Sequence, residues 1–178
     1  MICLLGYTSV GKSKIAEELV KTYGMKNVVS YTTRPMRDYE VDGVDYHFID
    51  KELFEKLDNE GFFAETTSYV MAGNNKVYYG SAIKDLSDDK VMVINPEGFR
   101  KIKDVPSLKI HSFLIVATQE TIINRLKARG DSEAEWTRRL EADEKDFMGM
   151  MYEVNDIITN DSRPIEQVAA QIWDIYTK

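Results

Sequence analysis

Eight residues near the start of the chain, Gly6-Tyr7-Thr8-Ser9-Val10-Gly11-Lys12-Ser13, place two glycines, a lysine and a hydroxyl at the spacing G-x-x-x-x-G-K-[ST]. Gly6 and Gly11 can take backbone angles that a side chain forbids, so successive N–H groups turn inward and cradle a phosphate. Lys12 has the charge and reach for outer phosphates, and the Ser13 hydroxyl can ligate a Mg²⁺ ion that accompanies them. A second group lies in Ser30-Tyr31-Thr32-Thr33-Arg34-Pro35-Met36-Arg37 and the polar residues up to Tyr46. Arg34 and Arg37 can grip one phosphate between two planar guanidinium forks, with the Tyr46 hydroxyl adding a donor. The same arginines also read as a solvated loop paired to Asp38, Glu40 and Asp42. A third group is Arg125, Arg129, Arg138 and Arg139. Arg125 and Arg129, four apart, share a helix face, and the Gly130-Asp131-Ser132 break after them suits a lid that brings guanidinium groups onto phosphates. The alternative is helix-surface pairing with Glu133, Glu135, Glu141 and Glu144. His47 and His111 belong to no acid–base or metal pattern.

These residues need elements to hold them. Met1 to Leu5 reads as a short buried strand, and Lys14 to Tyr23, with Ile15, Ala16, Leu19 and Val20 at helical spacing, as the helix that follows the loop. Strands are expected at Asn27 to Tyr31, Tyr46 to Ile49, Phe62 to Val70, Lys90 to Ile94 (closed by Asn95-Pro96), Lys109 to Val116 and Asp156 to Thr159. Helices are expected at Lys51 to Asn59, Gln119 to Arg129 (capped by Thr118), Ser132 to Val154 and from Pro164 onward. Gly73-Asn74-Asn75 signals a hairpin turn. Strands separated by helices predict an α/β fold with a parallel sheet, whose ligands gather at the carboxyl ends of the strands. Residues 32–81 break that rhythm as a strand-rich insert. The expected organisation is one domain over 1–178, with a core of 1–31 and 82–178, the insert, and a lid at about 125–145.

The composition narrows the function classes. The net charge of −7 argues against broad nucleic-acid binding, so arginines that meet phosphates must be concentrated locally. No run of 18 apolar residues predicts a membrane span, and the first residues do not read as a signal peptide. Cys3, the single cysteine, excludes an internal disulfide framework and fits a reducing compartment, so a cytoplasmic location is expected.

From Gly6 to about Asp161 the chain resembles the guanylate kinases, through the phosphate loop, Ser30 to Arg37, Glu40-Val41-Asp42-Gly43-Val44-Asp45-Tyr46-His47-Phe48, Tyr78-Tyr79-Gly80-Ser81 and Arg125-Leu126-Lys127-Ala128-Arg129-Gly130. The resemblance implies a parallel-sheet phosphate-loop kinase core, an inserted acceptor-binding subdomain and a helical lid. It implies transfer of the γ-phosphoryl group of ATP, with Mg²⁺, to GMP or dGMP, giving ADP and GDP. On this reading ATP is held by residues Gly6 to Ser13 (including Tyr7, Thr8, Ser9 and Val10) and by Asn160. Ser30, Arg34, Arg37, Tyr46 and Tyr79 bind the GMP phosphate. Glu65 and Ser81 read the guanine, and Asn95 stands where the family usually has an acidic residue. Lys12, Arg34, Arg125, Arg129 and Arg139 supply catalytic charge, and Ser13 faces the metal. The expected partners are the two nucleotides alone, with no nucleic acid and no membrane, in a monomer or homodimer. Two alternatives stay open at this point: a phosphate-loop kinase with another small phosphorylated acceptor, and a guanylate-kinase-like module that binds a protein ligand.

Overall fold

A computed structural model describes residues 1–38, 40–70, 75–130 and 132–178. The chain divides into two compact units: residues 1–27, 88–96 and 109–178 form the first, and residues 28–87 and 97–108 the second. The second unit therefore takes in 97–108, a stretch that the sequence reading left with the core.

The first unit is built on a five-stranded parallel sheet. Its strands are β1 (Ile2–Leu5), β2 (Lys26–Asn27), β7 (Lys90–Val93), β8 (His111–Val116) and β9 (Asp156–Thr159), in the order β2-β7-β1-β8-β9. The central strand β1 pairs Ile2 with Val91 on one side and with His111 on the other. A strand paired on both edges and covered on both faces should be apolar throughout, and all four residues of β1 are buried. Helices α1 (Lys12–Tyr23), α4 (Gln119–Ala128), α5 (Glu133–Asp146) and α6 (Ile165–Tyr176) belong to this unit. Ile15 and Leu19 of α1, Ile122 and Leu126 of α4, and Val168 and Ile172 of α6 pack with Ile2, Leu4, Phe113 and Ile115 in one buried cluster. Thr118 caps α4 as its sequence predicts, accepting the Thr121 N–H with its hydroxyl.

The second unit carries a mixed four-stranded sheet in the order β4-β3-β6-β5. Its strands are β3 (Tyr31–Thr32), β4 (His47–Phe48), β5 (Phe63–Val70) and β6 (Lys76–Ala82). Strands β5 and β6 form an antiparallel hairpin from Phe63↔Ala82 to Val70↔Lys76. Gly73 and Asn74 of the predicted turn lie outside the described residues. Helix α2 (Lys51–Asn59) buries Phe54, whose ring stacks on Phe63 at 4.6 Å.

The structure corrects three expectations and adds one helix. The strand predicted at Asn27 to Tyr31 is two strands in two sheets: β2 ends at Asn27 in the first unit, and β3 begins at Tyr31 in the second. Val28 and Val29 have strand chemistry, but pairing partners, not local propensity, decide strands. Asn95-Pro96 closes β7, which ends at Val93, and also begins an element that the sequence reading did not expect. Pro96 opens a short helix, α3 (Pro96–Ile102), at a position where its missing N–H costs nothing. The helix expected to run to Val154 stops at Asp146, because Gly149 (φ 78°) turns the chain into a 3-10 turn at Met150–Tyr152. Pro164 stands one residue outside α6 in an extended conformation.

Phe54 is 1 % exposed, so Phe54→Ala removes most of the apolar contact between α2 and the sheet of the second unit. The expected loss is about 3–5 kcal/mol, read from urea unfolding. A loss below about 1 kcal/mol would mean that the ring stack is not the keystone of that unit.

Candidate active site

In the first unit the loop between β1 and α1 takes the backbone form its glycines allow. Gly6 has φ 145°, Ser9 59° and Gly11 101°. A Cβ on Gly6 would lie 2.3 Å from the Ile115 carbonyl oxygen, and one on Gly11 would lie 2.5 Å from Asn160 Nδ2. Neither position admits a side chain. The loop is braced from two elements. Buried Asn160, just past β9, donates its side-chain N–H to the Val10 carbonyl at 2.7 Å. Arg125 of α4 donates to the carbonyls of Ser9 (3.3 Å), Asn160 (2.9 Å) and Asp161 (2.8 Å). Lys12 is folded back along the loop, donating to the carbonyls of Gly6 (2.6 Å) and Tyr7 (2.8 Å). Loss of water around it pushes its ammonium pKa down to about 8, against the pull of the Asp143 carboxylate. Ser13 is exposed on the first turn of α1. Asn95 sits just past β7, at a carboxyl end of the same sheet.

The second unit holds a different polar cluster. The Arg34 side chain is 6 % exposed and forms a two-pronged ion pair with Glu40, NH1 to Oε2 at 2.9 Å and NH2 to Oε1 at 2.7 Å. Its guanidinium also meets the Tyr46 and Phe48 rings at 5.5 and 5.6 Å. Glu40 accepts the backbone N–H of Arg37 as well, at 2.8 Å, so one carboxylate orients both arginine positions. The hydrogen bonds from Arg34 hold Glu40 below the usual carboxylate range. Tyr46 and Tyr79 meet edge to face at 5.8 Å. In the same unit buried Glu65 accepts the Ser81 hydroxyl at 2.7 Å, and Ser81 lies 2.9 Å from the Ser30 hydroxyl. Burial pushes the Glu65 pKa up, the reverse of Glu40.

The guanylate kinase family model matches residues 1–176. The chain belongs to the guanylate kinase family. It is 36 % identical to the guanylate kinase of Aliivibrio fischeri over 164 residues, covering 86 % of this chain and 76 % of that one. It is 34 % identical to the guanylate kinase of Schizosaccharomyces pombe over 149 residues, covering 79 % and 71 %. Among solved structures, the guanylate kinase of Anaplasma phagocytophilum matches with a TM-score of 0.69 at 22 % identity, covering 99 % of this chain and 84 % of that one. The shikimate kinase of Bacteroides thetaiotaomicron matches at 0.53 and 12 % identity, over 99 % and 98 %. At such identities these two likenesses speak for the fold alone.

Within this guanylate kinase family member, each unit gathers its own set. The first brings together Gly6 to Ser13, Arg125 and Asn160, and the second Ser30, Arg34, Arg37, Tyr46, Glu65, Tyr79 and Ser81. Arg129 caps the carboxyl end of α4, and Arg138 and Arg139 both pair with Glu135, at 3.1 and 2.7 Å. For these two the pairing read from the sequence is what the structure contains. The Arg34–Glu40 pair differs from the solvated loop pairing that the sequence also allowed, because it is buried. Sequence reasoning missed the weight of Glu40 and passed over Asp143, whose carboxylate accepts the Thr8 N–H at 2.6 Å. The available signal for Asp143 was its place four residues after Arg139, on the same helix face.

Breaking a buried pair from one side strands the other charge. Arg34→Ala and Glu40→Gln should each cost about 3 kcal/mol of stability, whereas Arg37→Ala, at an exposed position, should cost little. Thermal melts of the three variants check this, and equal melting shifts for Arg34→Ala and Arg37→Ala would contradict it.

Proposed function

We propose that this chain catalyses transfer of the γ-phosphoryl group from ATP to GMP, with dGMP as a second acceptor. An oxygen of the acceptor phosphate attacks the γ-phosphorus, the bond to the bridging β–γ oxygen breaks, and the products are GDP and ADP. The observation that carries the base assignment is Glu65, buried and hydrogen-bonded to Ser81 in the unit that also holds the arginine pair. Burial penalises the charge of Glu65, so donors that a ligand brings to it stabilise the carboxylate. Guanine offers it two, N1–H and the 2-amino group, and adenine lacks that pair. The first unit is then the donor site, and the second, with Arg34 and Arg37 on the acceptor phosphate, is the acceptor site.

The reaction asks the protein for alignment and charge cancellation rather than covalent work. Backbone N–H groups of Gly6 to Ser13 and the α1 amino end receive the donor's phosphates. Lys12 swings from its two loop carbonyls onto phosphate oxygens. Arg125, Arg129 and Arg139 add positive charge from α4 and α5 as the phosphoryl group moves. Ser13 offers one hydroxyl, and no group of three or more His, Cys, Asp or Glu side chains suited to a metal occurs among the described residues. That donor set suits a Mg²⁺ ion carried in on the triphosphate. When bound, the ion offsets phosphate charge. Asn95 can accept a hydrogen bond through its amide oxygen and donate through its amide nitrogen, but brings no charge to a metal or base.

Two measurements test this reading. The first compares kcat/KM for GMP, dGMP, AMP, CMP and UMP. GMP or dGMP should lead AMP by several powers of ten, and Glu65→Gln should erase most of that lead. A pyrimidine nucleotide or AMP as the best substrate would refute the acceptor assignment. The second follows ATP binding across pH. The ammonium form of Lys12 binds phosphate, so affinity should fall as pH rises through about 8, by about tenfold per pH unit beyond it. Lys12→Arg, charged throughout, should flatten the profile, and a wild-type profile that is already flat between pH 7 and 9 would remove Lys12 from that role.

A further inference from the structure

Asp143 lies near the end of α5, and its Oδ2 accepts the Thr8 N–H at 2.6 Å. That distance is short for N–H···O and typical of a charged acceptor. That N–H belongs to the loop to which the proposed function assigns the donor's phosphates, so a carboxylate oxygen stands where that assignment puts a phosphate oxygen. Three further facts make the contact more than a chance helix-end hydrogen bond. Asp143 is the carboxylate that pulls on the Lys12 ammonium. Arg139, one turn earlier on the same helix, also favours its charge, while Asp146 opposes it. The Phe147 ring, just past the end of α5, packs on Tyr7 at 5.3 Å, next in sequence to Thr8. One polar and one aromatic contact therefore clasp the end of α5 to two consecutive residues of the loop. The cost is visible: burial pushes the Asp143 pKa up even though it holds a backbone donor.

We propose that Asp143 is a built-in anion that competes with the donor's phosphates for this loop, so that nucleotide entry must expel it and release the end of α5. The inference rests on the donor reading given above. A carboxylate brings one charge and two oxygens, whereas a triphosphate brings several of each to the same amides and to Lys12, so the clasp yields. Its effect is to multiply the intrinsic donor affinity by the fraction of molecules with an open loop, which weakens binding. The helix that moves is the one that carries Arg139, which couples arrival of the donor to release of that guanidinium's element.

Calorimetric titrations with ATP, with and without magnesium, and with inorganic tripolyphosphate test the proposal on wild type, Asp143→Ala, Asp143→Asn, Glu144→Gln and Lys12→Ala. Asp143→Ala should bind all three ligands about tenfold more tightly, with Asp143→Asn in between. Glu144→Gln removes the neighbouring charge but not the contact, and should change affinity by less than about twofold. A thermal melt of unliganded Asp143→Ala should show a lower midpoint, because the clasp is lost. Unchanged affinity would overturn the proposal. So would weaker binding confined to the magnesium titration, which would make Asp143 a metal-side ligand. If wild type binds neither nucleotide nor tripolyphosphate, and Lys12→Ala changes nothing, the donor reading falls as well. Lys12-dependent binding with no gain in Asp143→Ala sinks the clasp alone.

Discussion

The loop from Gly6 to Ser13 turns on three positive backbone angles, at Gly6, Ser9 and Gly11, a shape that ordinary residues resist. Holding eight residues in that arrangement is the constraint around which the first unit is organised. Gly6 presses against the Ile115 carbonyl and Gly11 against the Asn160 amide, closely enough that a methyl group fits in neither place. Ser9 stands at a positive φ, which a side chain resists. Asn160 and Arg125 then satisfy the loop's outward carbonyls from β9 and α4. The parallel sheet matters functionally because it delivers the ends of β1, β8 and β9 to one place, where each supplies part of the brace.

The second unit solves a different electrostatic problem. On the proposed reading its site needs cations for a phosphate and a carboxylate for a base, within one small sheet and in a protein with net charge −7. The two carboxylates at issue are separated by environment. Glu40 is saturated by Arg34 and the Arg37 N–H and is held ionised, so it serves as scaffold. Glu65 accepts the Ser81 hydroxyl and burial penalises its charge, and on the proposed reading it takes further donors from the ligand. Equal chemistry, placed among different neighbours, yields a prop in one case and a reader in the other.

Much of this was legible in the residues. The phosphate loop could be read because its function demands glycine, lysine and a hydroxyl at set spacing, and the apolar runs around it had no alternative to burial. The alternation of strands and helices carried the parallel sheet. What escaped was decided by long-range contact. Val28 and Val29 look like any strand, and only the two competing sheets show that the chain leaves one and enters the other between Asn27 and Tyr31. Helix α3 was hidden because Asn95-Pro96 reads as a stop when the following seven residues have no clear apolar stripe. Glu40 looked like one more surface charge, since nothing in a local window says that Tyr46 and Phe48 will wall in its partner. Asp143 was anonymous within a run of acidic residues until the fold brought it to Thr8, which lies 135 positions away in the chain.

The place of β1 in the middle of the five-stranded sheet sets an order of events during synthesis. It is made before the other eight strands of the described residues and is wholly apolar. Its two sheet neighbours begin about ninety and about one hundred and ten residues later. Until β7 and β8 are made, a four-residue strand with no polar face has only non-native company, and closing loops of that length is slow as well as entropically costly. The β5–β6 hairpin of the second unit, by contrast, has both its strands by residue 82 and needs no distant partner. The nascent chain therefore holds β1 unpaired while a later hairpin can already form, and the loop from Gly6 to Ser13 cannot take its shape until Ile115 and Asn160 have been added.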